Sequence, residues 1–482
     1  MTATVRGTQL ARLLGRWHAL PARRRSPDYV ALASAIRGLL TDGRLPLGVR
    51  LPAERELAEA LDISRTTVSA AYRELRESGH VSSRRGAGSW TTLPRGHRVA
   101  GTGLWMSEDD LDLIDLSMAA LSAPIEMLTA AQAALVDLPR YLAGAGYHPA
   151  GIPELRAAVA DQYTVRGLPT SPEQIMITNG VLHAFDLVMR LLVPVGAPVL
   201  VESPTYPNAL SALNARRARI TTHGLDENGW DAELLIGSLR QVRPRMAYLI
   251  PEFQNPTGHL MPTGLRELLP AVAHRSDTDL VIDESFVDLA LDGPVPAPVA
   301  AFDQHARVLT VGGMSKPYWG GLRVGWIRAS APVIARLSAL RVAVDMAGPV
   351  LDQLVALHLL DRGPEVIGLR REQLGTRRAA LVGLLREHLP AWSFTVPAGG
   401  VCLWVELDAP GSTALAHAAL EHGIRLAPGP SFGIAGTLER YIRLPFTLPE
   451  LDLAEAVRRL AAASADLARA RPAEWSPPSL VA

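Results

Sequence analysis

The chain has 482 residues, enough for two or three domains, and its apolar content of 48% allows a sizeable buried core. Its single cysteine, Cys402, excludes a disulfide framework within the chain and fits a reducing compartment. No apolar run approaches the roughly 18 residues that a membrane span needs. We also find no secretory signal, so we expect a cytoplasmic protein without a membrane partner.

The balanced charge of the whole chain conceals an asymmetry between its parts. Lys+Arg and Asp+Glu both number 48, but residues 1–98 hold 17 arginines and 8 acidic residues, a net charge of +9. The remainder therefore carries −9. A basic module joined to an acidic one indicates nucleic-acid binding by the basic part. Chance clustering of solvated surface charge is the alternative.

Lysine occurs once in the chain, at position 316, whereas the other 47 basic residues are arginine. A lysine amine can lose its proton and attack an aldehyde, and a guanidinium cannot. The pattern therefore suggests that position 316 needs an amine, with accidental survival of one lysine as the alternative.

Residues 1–27 form an N-terminal extension, and residues 28–92 carry the pattern of a winged helix-turn-helix. Apolar residues at helical spacing predict a first helix over residues 29–42. Pro52, followed by two glutamates, is typical of the start of a second helix. Ser64 is a good N-cap for a third helix that runs to about Ser78. A Gly-rich stretch with strand-like ends, residues 81–92, completes the hairpin.

Residues 93–112 are polar and rich in glycine, which predicts a linker. Beyond them, strand-like and helical runs alternate, which predicts an α/β domain with a mostly parallel sheet. The predicted strands are residues 175–178, 199–203, 247–251, 280–283, 308–311 and 324–328. Residues 471–482, with several prolines, are expected to be a disordered tail.

Three runs in the basic module, LPAERELA at 51–58, ISRTTV at 63–68 and RELRESG at 73–79, resemble the winged helix of the GntR regulator family. The N-terminal end of the recognition helix then faces the major groove. There Arg65 can bind guanine, while serine and threonine hydroxyls can hold phosphates. The positions implied to contact a double-stranded DNA operator are Arg55, Ser64, Arg65, Thr66, Thr67, Arg85 and Gly86. A protein-interaction module with ordinary surface arginines is the alternative.

From residue 113 onward the chain resembles fold-type-I enzymes of the class I/II aminotransferase family, which use pyridoxal 5'-phosphate (PLP). The two resemblances together point to the MocR subfamily of GntR regulators. They imply an aminotransferase-like, PLP-binding domain over residues 113–470, with a smaller C-terminal α+β subdomain from about residue 346. The fold class expected is α/β, with the winged helix-turn-helix preceding that domain.

Two motifs carry the second resemblance most specifically, GGMSK at 312–316 and GLRVG at 321–325. The resemblance implies that Lys316 holds PLP as a Schiff base, with Ser315 beside it, and that Arg323 grips the cofactor phosphate. A planar guanidinium suits a phosphate dianion. Asp283 is implied to face the pyridinium nitrogen, where a carboxylate keeps the ring protonated as an electron sink.

The remaining site positions are also implied by the resemblance. Asn255 in NPTG matches an asparagine that donates to the ring hydroxyl oxygen, and Tyr206 matches an aromatic residue that stacks on the ring. Asn179 and Gly180 precede a helix whose N-terminus can cradle phosphate. Tyr147 resembles a tyrosine that reaches the phosphate from a neighbouring subunit, so the site would need a dimer. The family resemblance also implies a domain-swapped homodimer, in which the winged helix of one subunit rests on the large domain of the other.

Arg443 in YIRLP matches the arginine that binds a substrate α-carboxylate, with a structural salt bridge as the alternative. Two positions depart from the family. Phe286 stands where a tyrosine often bonds the ring hydroxyl, and Gly313 stands where a serine or threonine often contacts phosphate. Both departures fit a sensor better than an optimised transaminase. We expect no metal.

The leading interpretation is a transcriptional regulator that carries PLP and responds to an amino acid, an amine or PLP itself. A working aminotransferase with an accessory DNA-binding domain is the second interpretation, because Lys316, Asp283 and Arg443 are intact. A DNA-binding protein with a scaffold-only large domain is the third. The sequence does not specify the operator or the effector.

Overall fold

The computed structural model describes residues 5–15, 17, 27–41, 45, 50–84, 88–92, 113–434 and 436–470. The predicted wing residues Arg85 and Gly86 lie outside these ranges, as do the linker at 93–112 and the tail at 471–482.

The N-terminal module is a helical core followed by a two-stranded antiparallel hairpin. Its elements are α1 (Gly7–Leu14), α2 (Asp28–Thr41), α3 (Glu54–Leu61), α4 (Arg65–Glu77), β1 (Val81–Arg84) and β2 (Gly88–Thr91). The predicted helices and hairpin are therefore present, with bounds within about two residues of those expected.

Helix α4 begins where the sequence predicts, because Ser64 caps it. The Ser64 hydroxyl accepts a hydrogen bond from the Thr67 amide at 3.1 Å. The inner face of α4 buries Val68, Tyr72 and Leu75, and the Tyr72 hydroxyl donates to the Pro52 carbonyl at 3.0 Å. This contact fixes α4 against the start of α3.

The N-terminal extension contributes to this core instead of preceding it as a separate appendage. Leu10 and Leu14 of α1 are buried in the same hydrophobic cluster as α2, α3 and α4. The Gly7 amide at the start of α1 donates to the Glu56 carboxylate of α3 at 2.6 Å. The structural module therefore begins before residue 28.

The large domain is built on an eight-stranded sheet with strand order β4-β11-β10-β9-β8-β5-β6-β7. The helices and strands from β3 to α13 are, in chain order, β3 (Ile114–Asp115), α5 (Glu126–Asp137), α6 (Pro139–Leu142), α7 (Pro153–Val165), β4 (Ile175–Thr178), α8 (Val181–Leu192), β5 (Pro198–Ser203), α9 (Pro207–Ala215), β6 (Arg219–Asp226), β7 (Gly229–Trp230), α10 (Ala232–Val242), β8 (Met246–Leu249), α11 (Thr263–Arg275), β9 (Asp279–Asp283), β10 (Val308–Gly313), β11 (Gly325–Arg328), α12 (Ala331–Arg341) and α13 (Val350–Asp361).

The sheet is mostly parallel, as predicted. Strands β10, β9, β8, β5 and β6 pair in parallel, whereas β11 is antiparallel to both of its neighbours and β7 is antiparallel to β6. Every residue of β4, β8, β9, β10 and β11 is buried. Helices must therefore cover both faces of these strands, which explains their continuous apolar runs.

The smaller C-terminal subdomain packs around a four-stranded sheet with strand order β12-β13-β16-β15. Its elements are α14 (Gly363–His388), β12 (Ser393–Phe394), β13 (Cys402–Glu406), α15 (Ser412–Glu421), β14 (Ile424–Arg425), β15 (Ala427–Pro428), β16 (Tyr441–Pro445) and α16 (Glu450–Ala470). Strand β3 also belongs here, because it pairs in parallel with β14.

The boundary between the two parts lies later than the predicted residue 346. The buried residues Leu354 and Leu359 of α13 share a cluster with α5 and α7 of the large domain. Helix α14 is the transition, since Val366 lies in that cluster and Leu381 lies in the cluster that includes the small subdomain. No described helix has the length and apolar character needed to cross a membrane.

Candidate functional site

Five predicted site residues lie at or just beyond the carboxyl ends of strands that point in the same direction. They are Asn179 after β4, Tyr206 after β5, Asn255 after β8, Asp283 at the end of β9 and Lys316 after β10. The carboxyl ends of such strands share one edge of the sheet, which is where α/β proteins bind ligands. The topology therefore brings these residues to a common edge.

Lys316 lies half-buried at this edge. Its Nζ donates to the Ala119 carbonyl at 2.8 Å and lies 5.8 Å from the centre of the Phe286 ring. Burial, followed by the positive charge of Arg443, lowers the Lys316 pKa to about 8. A larger fraction of this amine is therefore uncharged and nucleophilic near neutral pH than in an exposed lysine.

Asp283 is buried and held by three hydrogen bonds. Its Oδ1 accepts from the Ser285 amide at 2.9 Å and the Ser285 hydroxyl at 2.5 Å, and its Oδ2 accepts from the Tyr248 hydroxyl at 2.6 Å. Burial raises the pKa of this carboxyl, while the hydrogen bonds from Ser285 and Tyr248 oppose that rise. The carboxylate is thus fixed in orientation as well as position.

Tyr248 is a site residue that the sequence analysis did not identify. It lies on β8, one strand away from Asp283, and is 1% exposed. The sequence did contain a sign of its importance, because a tyrosine inside a buried strand needs a hydrogen-bond partner for its hydroxyl. The sequence could not show that the partner is Asp283.

Arg443 enters the site from β16 of the small subdomain and is 6% exposed. Its guanidinium donates to the Ser117 carbonyl and, at 3.4 Å, to Asn255 Oδ1, and it lies 5.0 Å from the centre of the Phe432 ring. Its buried Nε has no hydrogen-bond partner among the described residues. A buried cation with an unpaired donor is suited to bind an anion.

At the start of α8, the backbone of Gly180 lies close to Gly325 and to the Arg323 side chain, and we call this arrangement the cradle. Gly180 has φ +88° and caps α8, and a Cβ there would come within 2.9 Å of the Arg323 guanidinium. Arg323 is exposed and donates to the Asn179 carbonyl at 2.9 Å. A helix N-terminus next to an arginine is an anion-binding arrangement.

Gly313 belongs to this packing, which explains its departure from the family pattern. A Cβ at Gly313 would come within 2.8 Å of Val181 Cγ2 and 3.2 Å of the Val324 carbonyl oxygen. A serine or threonine would therefore require the start of α8 to move. Gly325 is equally constrained, since its Cβ would lie 2.7 Å from the Gly180 carbonyl carbon.

A buried arginine behind the cradle connects it to the loop that contains Tyr147. Arg341 is fully buried and donates to Asp345 at 2.8 and 3.0 Å, and to the Pro149 carbonyl at 3.0 Å. Asp345 in turn accepts from the Asn179 side-chain amide at 2.8 Å. Neither Arg341 nor Asp345 was predicted from the sequence as a site residue.

The other predicted positions occupy the same region or its margin. Tyr206 is half-buried and interacts electrostatically with Asp283, Arg443 and Arg323. Phe286 is buried and faces Lys316, so the aromatic ring is retained without a hydroxyl. Ser315 is half-buried beside Lys316. Tyr147 is 61% exposed and lies on the surface of this protomer.

The predicted DNA-contacting residues that the structure describes lie at the start of α4 and on α3. Arg65 is the first residue of α4, its side chain is 71% exposed, and its Nε lies 3.7 Å from Glu54. Arg55 and Thr66 are exposed, and Thr67 is half-buried. The Ser64 hydroxyl, which caps α4 through the Thr67 amide, also contacts the Thr66 and Thr67 hydroxyls at 2.7 and 2.8 Å.

Two family models match the chain. The aminotransferase class I and II family matches residues 128–460, and the gntR family of bacterial regulatory proteins matches residues 28–90. The chain is 28% identical to an uncharacterized HTH-type transcriptional regulator, YdfD of Bacillus subtilis, over 88% of this chain and 94% of that protein. It is also 28% identical to the probable rhizopine catabolism regulatory protein MocR of Rhizobium meliloti, over 76% of this chain and 78% of that protein.

This chain joins a gntR-type module to an aminotransferase class I and II domain, which is the MocR-type architecture. Its large domain belongs to the class I and II aminotransferases. Among solved structures, it is similar to the α-aminoadipate aminotransferase LysN of Thermus thermophilus, complexed with N-(5'-phosphopyridoxyl)-L-leucine. The TM-score is 0.69 and the identity is 30%, over 74% of this chain and 93% of LysN. The class I and II aminotransferases are PLP-dependent, which confirms PLP as the expected cofactor of this chain.

The lowered pKa of Lys316 predicts how PLP attachment depends on pH. Attachment needs the uncharged amine, so its rate should rise about tenfold per pH unit below the pKa and level off above about pH 8. Arg443→Leu removes a positive charge, so the plateau should begin at higher pH. Stopped-flow absorbance after mixing with PLP measures the rate. Arg440→Leu, which removes an exposed arginine, should keep the original profile, and a shift in that control would contradict the assignment.

The contact between Tyr248 and Asp283 predicts a loss of cofactor affinity in Tyr248→Phe. Without the donor, the negative charge of Asp283 is less stable, and the Kd for PLP should rise about tenfold, the effect of one hydrogen bond to a charged group. Fluorescence titration of the unloaded protein measures the Kd. Tyr163→Phe is the matched control, because Tyr163 is equally buried but bonds Trp326. Equal Kd changes in both variants would show that the effect is not specific to Asp283.

Proposed function

We propose that this protein is a PLP-dependent transcriptional sensor. PLP is attached covalently at Lys316, an amino compound or PLP itself acts as effector, and the winged helix binds an operator as a homodimer. The observation that carries the proposal is that Lys316 lies close enough to Asp283 and Arg443 for both charges to act on its amine, in a chain that also contains a GntR-type module. A regulator of this kind acts in the cytoplasm, where its DNA lies.

The residues present fit PLP by their chemistry. Lys316 supplies the amine, and Asp283, held by Tyr248 and Ser285, supplies a fixed carboxylate for the ring nitrogen. PLP then provides an electron sink. Arg323 and Gly180 provide the phosphate cradle, which a Cβ at position 180 would fill. The further positions proposed to contact the cofactor are Asn255, Tyr206, Asn179, Ser315 and, from the neighbouring subunit, Tyr147.

Arg443 supports an effector that carries a carboxylate. Its guanidinium is buried, and its partners here are neutral oxygen atoms of Ser117 and Asn255. Burial lowers the pKa of Arg443, as expected for a cation without an adjacent carboxylate. An amino acid carries both groups that the site can accept, because its amine can replace that of Lys316 and its carboxylate can bind Arg443.

A homodimer is supported by the surface around Tyr147. Tyr147 is 61% exposed, although Arg341 fixes the loop that carries it. Apolar side chains on α5 and beyond α12, including Leu128 and Val342, are also exposed. A symmetric dimer would cover them and would present two winged helices to two half-sites. Exchange of the winged helices between subunits is part of the proposal.

The experiment compares DNA binding in the presence and absence of ligands. Full-length protein is loaded with PLP and titrated with L-amino acids and amines, while fluorescence anisotropy follows its binding to DNA from its own promoter region. Cofactor absorbance is recorded in parallel. A sensor should change its DNA affinity at the ligand concentration that changes the absorbance. If the absorbance changes while DNA affinity stays constant for every ligand, the proposal fails.

A working aminotransferase is the second candidate, and the intact site favours it. Lys316 has a lowered pKa, Asp283 is fixed, and Arg443 can take a carboxylate. The solved relative LysN is an aminotransferase. Steady formation of keto acid from an amino acid, without a change in DNA affinity, would support this candidate over the sensor.

A further inference from the structure

Three cationic side chains converge on the short segment of residues 117–122, which we call the tether. Arg443 donates to the Ser117 carbonyl, Lys316 to the Ala119 carbonyl at 2.8 Å, and Arg370 to the Ser122 carbonyl at 2.5 Å. These contacts join residues that are 326, 197 and 248 positions apart in the sequence. The tether is therefore fastened by its backbone to three distant elements.

Lys316 and Arg443 belong to the proposed ligand site, whereas Arg370 does not. Lys316 and Arg443 are the proposed attachment points for cofactor and effector. Arg370, on α14, is 5% exposed and also donates to the Tyr318 carbonyl at 3.0 Å. It therefore stays in place as an anchor. The tether is thus contacted by two residues of the proposed ligand site, Lys316 and Arg443, and by one residue outside that site, Arg370.

Ligands compete directly with the tether for the first two cations. A carboxylate is a stronger acceptor for a guanidinium than a neutral carbonyl is. An effector carboxylate that binds the unpaired Nε of Arg443 together with the neighbouring Nη2 takes the nitrogen that now donates to Ser117, and so draws Arg443 from that carbonyl. When Lys316 attaches an aldehyde, a C=N bond forms, water leaves, and the nitrogen keeps at most one hydrogen. Its ability to donate to Ala119 is then reduced.

The position of the tether in the chain gives this competition a consequence. Residues 93–112 connect the DNA-binding module to β3, and the tether follows β3. The Ile114 and Leu116 amides donate to the Gly423 and Arg425 carbonyls at 3.0 and 2.9 Å, which fastens the upstream end to the small subdomain. Downstream, α5 packs in the large domain. The tether thus links the two parts of the aminotransferase-like domain beside the chain that leads to the winged helix.

We propose that the tether is the element through which the ligand state of the site reaches the DNA-binding module. The inference rests on the proposed function, because it assigns the regulation of that same site. A ligand that takes Arg443 from Ser117 releases the tether between its anchor at Ser122 and its attachment at β3. This release changes the path of the chain that enters the linker. The signal requires different contacts in two states, and the exchange of Arg443 between two acceptors supplies them.

The test uses two ligands that share the phosphopyridoxyl group, of which only one carries an amino-acid moiety. N-(5'-phosphopyridoxyl)-L-leucine, the ligand of LysN, carries a carboxylate, and pyridoxamine 5'-phosphate does not. Each is added to the unloaded full-length protein, and amide hydrogen exchange is followed by mass spectrometry. The leucine adduct should accelerate exchange of residues 117–125 about tenfold, the effect of one charged hydrogen bond. Pyridoxamine phosphate should leave that exchange close to its unloaded rate.

Variants distinguish specific release of the tether from a general loss of stability as the cause of faster amide exchange. Arg443→Leu should show the fast exchange without ligand and gain nothing from the adduct. Arg370→Leu should also accelerate exchange of the tether, whereas Arg377→Leu should not, because Arg377 lies on the same helix but donates to the Thr447 carbonyl at 2.7 Å. Equal acceleration in Arg370→Leu and Arg377→Leu would overturn the assignment of Arg370 as an anchor.

The outcomes distinguish this inference from the proposed function. If DNA affinity responds to the adduct and exchange of the tether does not, the tether inference is wrong and the sensor stands. A second outcome is that both ligands bind and the adduct accelerates exchange of the tether, while DNA affinity stays constant. That outcome contradicts both the sensor and transmission through the tether, and the tether is then only a mobile part of the ligand site. If neither ligand binds, the site assignment fails and the inference fails with it.

Discussion

Replacing Lys316 by alanine is expected to abolish covalent attachment of PLP completely. The chain contains no other lysine whose amine could attach the aldehyde in its place. Borohydride reduction of protein incubated with PLP, followed by intact mass measurement, should show one added cofactor in the unaltered chain and none in the variant. A reducible adduct retained in Lys316→Ala would contradict the assignment.

Lys316→Arg is the matched variant for this experiment. It keeps a positive charge near Ala119 and Phe286, but a guanidinium does not form the adduct. It should therefore lose attachment as fully as the alanine variant. The phosphate cradle remains in both, so each should still bind pyridoxamine 5'-phosphate without a covalent bond. Loss of that binding would indicate that the substitution damaged the fold and not only the attachment point.

The second large effect is expected in the DNA-binding module, where Arg65→Ala should remove operator discrimination. Arg65 is the first residue of α4, and its side chain is 71% exposed at the end of the helix that we expect to face base edges. One bidentate arginine–guanine contact contributes about 1–3 kcal/mol of discrimination. The ratio of specific to non-specific Kd should therefore fall about 10- to 100-fold, as measured by anisotropy with operator and scrambled DNA at one salt concentration.

Arg73→Ala is the control for this prediction, since Arg73 is exposed on the same helix but two turns further along. Arg73→Ala removes the same charge, so it should raise the specific and the non-specific Kd by a similar factor and leave their ratio unchanged. If Arg73→Ala lowers the ratio as much as Arg65→Ala does, the orientation assigned to α4 is wrong.

The sequence predicted those parts of the molecule that depend on local pattern. Buried parallel strands produce continuous apolar runs, so the strands that end at Asp283 and precede Lys316 were located to within one or two residues. The N-cap of α4 was likewise predicted, because Ser64 needs only the amide of Thr67 to act. The identities of the cofactor residues came from motif resemblance, and the topology is consistent with them because it brings them to one edge of the sheet.

Contacts between distant segments could not be predicted from one sequence. Nothing in the local pattern around Tyr248 specifies Asp283 as its partner, and nothing around Arg370 specifies the Ser122 carbonyl. The boundary of the small subdomain was misplaced for a similar reason. Helix α13 lies after the predicted boundary, but its buried face packs against α5 and α7, and only three-dimensional packing shows this.

The packing of α1 also bears on how the DNA-binding module can be isolated. A proteolytic fragment cut at residue 28, where the family match begins, would lose Leu10 and Leu14 from a shared core, and each buried leucine stabilises by about 1.5–3 kcal/mol. It would also lose the Gly7 amide that binds the Glu56 carboxylate on α3. Weak DNA binding by such a fragment would therefore report a damaged core, and a stable fragment has to begin upstream of α1.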